Sequence, residues 1–409
     1  MNSLPPRRTY ILTLSGYYGF ALIGWNAVLL ASLIRSIERD FQVSDAAFGL
    51  LYFLAALCYT AGAFGGGLVA ERLGRRGVLL AAALSFGLGL GGEGLAPSWV
   101  ALILAGVLVN AGAGAIDGGV NGLFLDLYRD ARGGALNLLH LFFSVGALIA
   151  PLAVGLTLAA RVPWRAILLA TGAGCLPLVA LLATVAMPAG RREEGAGRGS
   201  RETGRAPMGA EASLLPFAGL ALAIGLYVAT ETGVSNWLVR LLSGTSVATA
   251  TGALSLFWGG LAAGRLLSNW LAERMDYTAF TIGCIALSSL TLVAAALSPA
   301  LPLAVALFAL TGLFCGPIYP MIMALGGDLY PRRLAALSGA LSGAAVVGSV
   351  VYPPLMGVMA SRIGLRGGML GAAALGIPAA LGIVFARAAA RRARAGSPGA
   401  REDESWVPM

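Results

Sequence analysis

The sequence predicts an all-α polytopic membrane protein of twelve transmembrane helices arranged as two six-helix halves, and three observations predict it. First, 58% of the 409 residues are hydrophobic and only 11% are charged, with a mean hydropathy of +0.81. That is more apolar surface than one water-soluble core can bury. Second, apolar stretches close to the roughly 20 residues that span a bilayer recur along the whole chain, separated by short turns that carry Arg or Pro. Third, Glu71-Arg72 recurs as Glu273-Arg274, Asp126-Leu127-Tyr128 as Asp328-Leu329-Tyr330, and Gly146, Pro151 and Gly155 as Gly348, Pro353 and Gly357, always 202 positions apart. Several matches at one offset imply a duplicated unit, and two parallel halves enclosing a midplane site are a known plan for transporters.

In chain order the spans fall near residues 10–34, 46–70, 78–95, 98–124, 134–160, 164–187, 214–241, 248–271, 277–297, 301–326, 334–360 and 366–389. Arg7 and Arg8 precede the first, but its apolar run is too long for a signal peptide. A Gly-, Arg- and Glu-rich stretch with Pro188 and Pro207 reads as a flexible linker. The organisation is thus an N-terminal bundle (1–187), a cytoplasmic linker (188–213), a C-terminal bundle (214–389) and a tail (390–409) that lacks apolar periodicity and is expected to be disordered.

The net charge of +9 does not mark nucleic-acid binding, because the arginines sit in turns between spans rather than on one soluble face. All 28 basic residues are Arg, and most fall on the side of the termini and linker. By the positive-inside rule this places both termini in the cytoplasm, in an inner membrane. Cys58, Cys175, Cys284 and Cys315 lie inside spans at spacings that fit neither a metal site nor a disulfide framework, so they are expected to pack as small hydrophobes. Trp99, Trp164 and Trp270 fall near span ends and read as interfacial anchors.

Ionisable groups at membrane depth are costly, which makes the few present informative. Asp117 lies nine residues inward of Asp126, about 13 Å along a helix and close to the midplane. Asn110, Asp117 and Asn121 recur at steps of seven and four and share one face. A carboxylate between amides suits sugar hydroxyls and proton exchange. Tyr227, Glu231 and Ser235 form a second such face, and Trp258, Arg265 and Asn269 a third, so Glu231 is expected to pair with Arg265. His140, the only histidine, continues a polar line with Asn137 and Ser144 and suits a proton relay or a plain interhelical bond. Tyr18 and Trp25, beside Asn26, share a face of the first span, and Tyr319 lies in the Gly316-Pro317-Ile318-Tyr319-Pro320 break, so these aromatics suit stacking on a sugar ring, with plain packing the equal alternative for Trp25. Pro317, Pro320, Pro353 and Pro354 are expected to bend helices.

The run Gly67-Leu68-Val69-Ala70-Glu71-Arg72-Leu73-Gly74-Arg75-Arg76 resembles the signature loop of the major facilitator superfamily, with Glu71 where that family usually has Asp. The resemblance implies the major facilitator fold and a cytoplasmic gate, here assigned to Glu71, Arg72, Arg75, Arg76, Asp126, Glu273, Arg274 and Asp328. The alternative is that these arginines only fix topology. Within the superfamily, Asp117-Gly118-Gly119-Val120-Asn121, Leu136-Asn137-Leu138-Leu139-His140 with Phe143 and Gly146, and Tyr227-Val228-Ala229-Thr230-Glu231 with Asn236-Trp237 resemble the fucose permease-like sugar:proton symporters. Characterised members can carry an acid in span one; here that span offers Tyr17, Tyr18, Trp25 and Asn26 instead.

The functional expectation is import of a small neutral, hexose-like sugar by alternating access, driven by protons or alternatively by sodium. Asp117, Glu231 and His140 are the proton-coupling candidates. Tyr18, Trp25, Asn26, Asn110, Asn121, Asn137, Tyr227, Arg265 and Tyr319 are the substrate-binding ones. A proton-coupled exporter of hydrophobic compounds is the alternative, although Gly146 to Gly155, containing Ala150-Pro151, matches the exporters' span-five motif only loosely. A non-transporting sugar sensor would call for large soluble output domains. An enzyme is disfavoured by the lack of a phosphate loop, a metal cluster or a nucleophile and base set. No cofactor or metal is expected, and the chain is expected to act as a monomer in the bilayer.

Overall fold

A computed structural model describes residues 6–128, 132–185, 214–272, 275–330 and 334–395. The linker after residue 185, the tail beyond 395 and the expected gate residues Glu273 and Arg274 lie outside the described residues, as do the side chains of Glu71, Arg72, Asn137, Asn269 and Trp270. The helices are α1 (Pro6–Phe41), α2 (Asp45–Leu95), α3 (Trp99–Leu127), α4 (Arg132–Ala159), α5 (Trp164–Ala173), α6 (Leu176–Thr184), α7 (Leu214–Leu241), α8 (Val247–Ala272), α9 (Tyr277–Leu297), α10 (Leu301–Cys315), α11 (Ile318–Leu329), α12 (Leu334–Ala374) and α13 (Gly376–Ala395). Two limits differ most from the sequence expectation. Helix α1 continues past residue 34 to Phe41, and α13 past Ala390 to Ala395, because polar residues extend a helix wherever its ends leave the hydrocarbon for water.

Among the described residues, eleven helical runs are long and apolar enough to cross a bilayer. The last, Ala340–Ala393, has 54 residues, about 80 Å of helix against a hydrocarbon core of about 30 Å. It is broken at Gly364, whose φ of 74° is open to glycine and strained for any residue with a Cβ. Gly74, at φ 71°, breaks α2 in the same way. Elsewhere, short polar side chains begin helices: Ser44, Ser98 and Asp276 accept the N–H groups of Ala47, Ala101 and Ala279. Proline opens α6 (Pro177) and α10 (Pro302), where its missing N–H costs nothing. The expected break at Gly316-Pro317 separates α10 from α11.

The outer surface carries large apolar side chains such as Leu88, Leu104, Leu156, Leu290 and Leu381, the covering a lipid solvent favours. Inside, helices approach at glycines, and these approaches repeat. A Cβ on Gly62 would strike the carbonyl of Ala111, and one on Gly264 that of Leu313. Gly114 meets Tyr59 and Gly316 meets Leu261; Gly146 meets Ala21 and Gly348 meets Gly225. The glycines in each pair are again 202 positions apart.

The start of α1, the bend in α2 and the end of α6 mark one end of the molecule, called here the linker end; Phe41, Asp45, Leu241 and Val247 mark the far end. Hydrogen bonds and ion pairs between residues 6–185 and 214–395 run from the far end, where Arg240 meets Glu38 and Asp45, through Tyr52 Oη to Asn236 O (3.1 Å), to Arg265 and Ser144 near the middle. Backbones also close there: a Cβ on Gly49 would lie 2.9 Å from Pro354 O and one on Gly357 2.6 Å from Asp45 O. The two parts are therefore clamped together at the far end.

Candidate functional site

Midway along α3, Asp117 accepts two hydrogen bonds. Tyr59 Oη on α2 donates to Oδ2 at 2.9 Å, and Asn121 Nδ2, one turn along α3, donates to Oδ1 at 2.8 Å. Both partners are donors, so the arrangement suits the carboxylate anion. A proton on Oδ2 would force Tyr59 to turn its hydroxyl from donor to acceptor. Asp117 and His140 are enclosed by protein on nearly all sides, yet Asp117 is only half-buried and His140 is exposed. The His140 ring meets Phe20 edge-on at 5.3 Å.

Opposite stand residues of the second half. Glu231 on α7 receives the Tyr227 hydroxyl one turn earlier. Arg265 on α8 reaches across to Ser144 on α4, with Nη1 donating to Oγ at 3.2 Å, and Ser144 Oγ in turn donates to His140 O at 3.2 Å. Tyr319 on α11 shares a hydrogen bond with Ser342 on α12 at 3.1 Å and lies within electrostatic reach of Glu231, Arg265 and Asp117. Trp258 Nε1 donates to Ser235 Oγ at 3.0 Å. Asp117, Asn121, His140, Tyr227, Glu231, Arg265 and Tyr319 are thus brought together.

Other expected members go elsewhere. The direct Glu231–Arg265 ion pair does not form: neither appears among the ion pairs of the described residues, and each has found its own partner instead. Helical spacing placed each residue on the correct face but not at the correct height against its neighbour. Tyr18 and Trp25 do share a face, but it looks toward α5 and α6. Tyr18 Oη donates to Gly174 O at 2.6 Å, and Trp25 borders an apolar cavity of about 390 Å³ lined also by Leu22, Val154, Ile167 and Gly174. Asn110 spends its amide on Gly106 O at 2.8 Å, and Asn26 is half-buried on α1.

At the linker end Arg75 Nη1 pairs with Asp126 Oδ2 at 2.8 Å, tying the bend of α2 to the end of α3. Arg76 donates to the carbonyls of Leu182 and Ala183 at the end of α6. These arginines stitch helices of the first half as well as marking topology. Asp328, the counterpart of Asp126, is exposed. Trp164 is no interfacial anchor: it is buried, and its Nε1 donates to Asp40 Oδ2 at 2.7 Å. The four cysteines are free thiols, three of them buried.

Sequence reasoning missed Tyr59, Ser342, the far-end cluster of Arg35, Glu38, Asp45 and Arg240, and Glu93. Glu93 is 1% exposed and neither carboxyl oxygen has a hydrogen-bond partner. Tyr59 was visible as a lone phenol in the middle of the second span; the others give no signal until distant segments meet.

The Major Facilitator Superfamily model matches this chain over residues 14–238 and 208–408. The chain belongs to the Major Facilitator Superfamily. This facilitator is a membrane transporter, not an enzyme, and it is 23% identical over 368 residues to YfkL, an uncharacterized MFS-type transporter of Bacillus subtilis (strain 168), covering 87% of this chain and 91% of that protein. It is 32% identical over 151 residues, about a third of each chain (35%), to a putative glucose/galactose transporter of Helicobacter pylori (strain J99). Among solved structures it resembles a bacterial homolog of the human lysosomal transporter Spinster in an inward-facing, occupied conformation, with a TM-score of 0.74 at 18% identity over 99% of this chain and 100% of that one. It also resembles a D-xylose-proton symporter, with a TM-score of 0.73 at 16% identity over 92% and 97%. At these identities the structural likeness establishes the fold.

Proposed function

We propose that this facilitator imports a small neutral, hexose-like sugar across the inner membrane by alternating access, with proton symport through Asp117. The observation that carries the reading is Asp117 itself: a half-buried carboxylate midway along α3, held by a phenol and an amide and within electrostatic reach of Tyr319, which also senses Arg265 and Glu231. Neutral hydroxyls suit such a ring of donors and acceptors, and a carboxylate with no cationic partner in contact is the natural group to load and unload a proton. The names of the glucose/galactose relatives support the substrate class, and the three segments that resemble fucose permease-like symporters support the coupling.

In this reading the chain crosses the membrane twelve times, counting the run broken at Gly364 as two, in two six-helix bundles that act as a monomer. The glycine approaches repeated at one offset support the duplication. The arginine clusters at the linker end support cytoplasmic termini, which makes the clamped far end extracellular and the conformation inward-facing. His140 and Glu231 stand as secondary proton sites beside the Arg265–Ser144 link.

The test is uptake of a radiolabelled sugar panel into proteoliposomes under separately imposed proton and sodium gradients. The proton gradient is expected to drive accumulation, and Asp117→Asn to abolish it while leaving exchange intact. Uptake indifferent to the proton gradient and to that substitution discards the mechanism, and a response to sodium alone reassigns the ion. One observation favours a second reading, export of hydrophobic compounds: the apolar cavity beside Trp25. Thermal stabilisation by lipophilic cations rather than hexoses would select it.

A further inference from the structure

The far end holds a cluster that the central site does not use. Arg240, in the last turn of α7, places Nε 2.8 Å from Glu38 Oε2 on α1 and 2.8 Å from Asp45 Oδ1 at the start of α2. One guanidinium from the second half is thus held by two carboxylates from the first. One turn before Glu38, Arg35 Nη2 donates to Ser243 O (2.8 Å) and Thr245 O (3.0 Å) in the turn between α7 and α8. Arg35, Glu38, Arg39, Gln42, Arg240 and Ser243 border a polar cavity of about 400 Å³. Two atoms here have no hydrogen-bond partner, Glu38 Oε1 and Arg35 Nη1.

Helix α1 has 36 residues, about 54 Å of rise, so its last turns project beyond a hydrocarbon core of about 30 Å. Glu38 therefore sits where solution protons arrive, and its side chain retains 12% exposure. The charged and titratable groups around it are Arg35, Arg39 and Asp40 on α1, Asp45 and Tyr52 on α2, and Arg240 on α7; α12 approaches Asp45 through Gly357, with Arg362 exposed one turn further along it. Asp40 is engaged by Trp164, and Tyr52 by Asn236 O.

We propose that Glu38 is a second proton-binding site, at the mouth of the closed side, whose protonation releases Arg240 and lets the two halves part there. Neutralising Glu38 removes one of the two anions that hold Arg240, leaving Asp45 as its one anionic partner beside the neutral links of Arg35 to Ser243 O and Thr245 O and of Tyr52 to Asn236 O. A proton on Glu38 can be shared with the adjacent Asp45 carboxylate, which accepts it. A low pH on that side thereby favours the conformation that loads the central site. This inference rests on alternating access but not on the substrate or on Asp117.

The test is a spin-label distance measurement on the full chain in lipid nanodiscs. Labels go at Pro97→Cys and Pro299→Cys, both on exposed far-end turns, with the four native cysteines replaced by Ser. Lowering the pH from about 8 to about 5, across the carboxylate-to-histidine range, is expected to add a longer far-end distance. That response should persist in Asp117→Asn and vanish in Glu38→Gln, which should show the longer distance at every pH. A distance independent of pH in the wild-type chain overturns the proposal, as does a wild-type pH response retained by Glu38→Gln. Loss of the response in Asp117→Asn with Glu38 intact assigns the opening to the central carboxylate and also overturns it. Failure of sugar accumulation alone leaves this measurement unaffected.

Discussion

Asp117 on α3 and Tyr319 on α11 are 202 residues apart, the offset that also relates Gly114 to Gly316 and Gly62 to Gly264, yet one is a carboxylate held by Tyr59 and Asn121 and the other a phenol held by Ser342. The packing around them is the same: Gly114 abuts the Tyr59 carbonyl and Gly316 the Leu261 carbonyl. Both positions keep the contacts that set helix spacing, because any side chain there would push two backbones apart. The side chains at 117 and 319 differ instead, each bound by its own partners. The turns differ in the same way. Gly74 turns the first half with a positive φ, while its counterpart Asp276 turns the second as a helix cap.

The comparison breaks most readily at these two side chains. Asp117→Asn is expected to abolish gradient-driven accumulation, whereas Tyr319→Phe should keep it and raise the half-saturating substrate concentration by up to about tenfold, the worth of about one hydrogen bond. Equal losses of accumulation in both would show that the coupling chemistry is shared between the halves. At the scaffold the expectation reverses. Gly114→Ala and Gly316→Ala should each cost about 1–3 kcal/mol through overpacking, seen as similar falls in thermal midpoint in detergent. A fall in only one variant would mean that the halves are not packed alike.

A smaller asymmetry sits at Glu93, whose counterpart is the buried Ala295. A buried carboxyl with no partner is a net cost. Glu93→Leu is therefore expected to raise stability by about 1 kcal/mol, read from the same melting curves, and a loss would reveal a partner for the carboxyl. The smallest effect belongs to Asp276. The Ala279 N–H it caps, with Arg387 nearby, holds its carboxyl below the usual range. A lowered folded-state value stabilises the protein above the unfolded value of about 4 and loses that contribution as pH falls through the folded one. Asp276→Asn should flatten this part of the melting temperature against pH, by little, since the group is exposed. An unchanged slope would mean that the cap is not formed in solution.

The sequence by itself determined the apolar runs, the repeat at one offset, the Asp117 face and the basic end of the molecule. Each follows from local rules, since a helix fixes which side chains share a face and a bilayer fixes how long an apolar run must be. It placed Asn121 beside Asp117 correctly because that contact is one helical turn. Tertiary structure alone decided what lies opposite each face. Glu231 and Arg265 stand on the faces expected of them and meet different partners, Tyr227 and Ser144. Tyr18 and Trp25 share their predicted face but present it to α5. Glu38, Asp45 and Arg240, drawn from α1, α2 and α7, become one cluster only after the halves dock. Which helix comes to face which, and at what height, depends on the fit of whole surfaces far apart in the chain, and no periodicity within a single span carries that information.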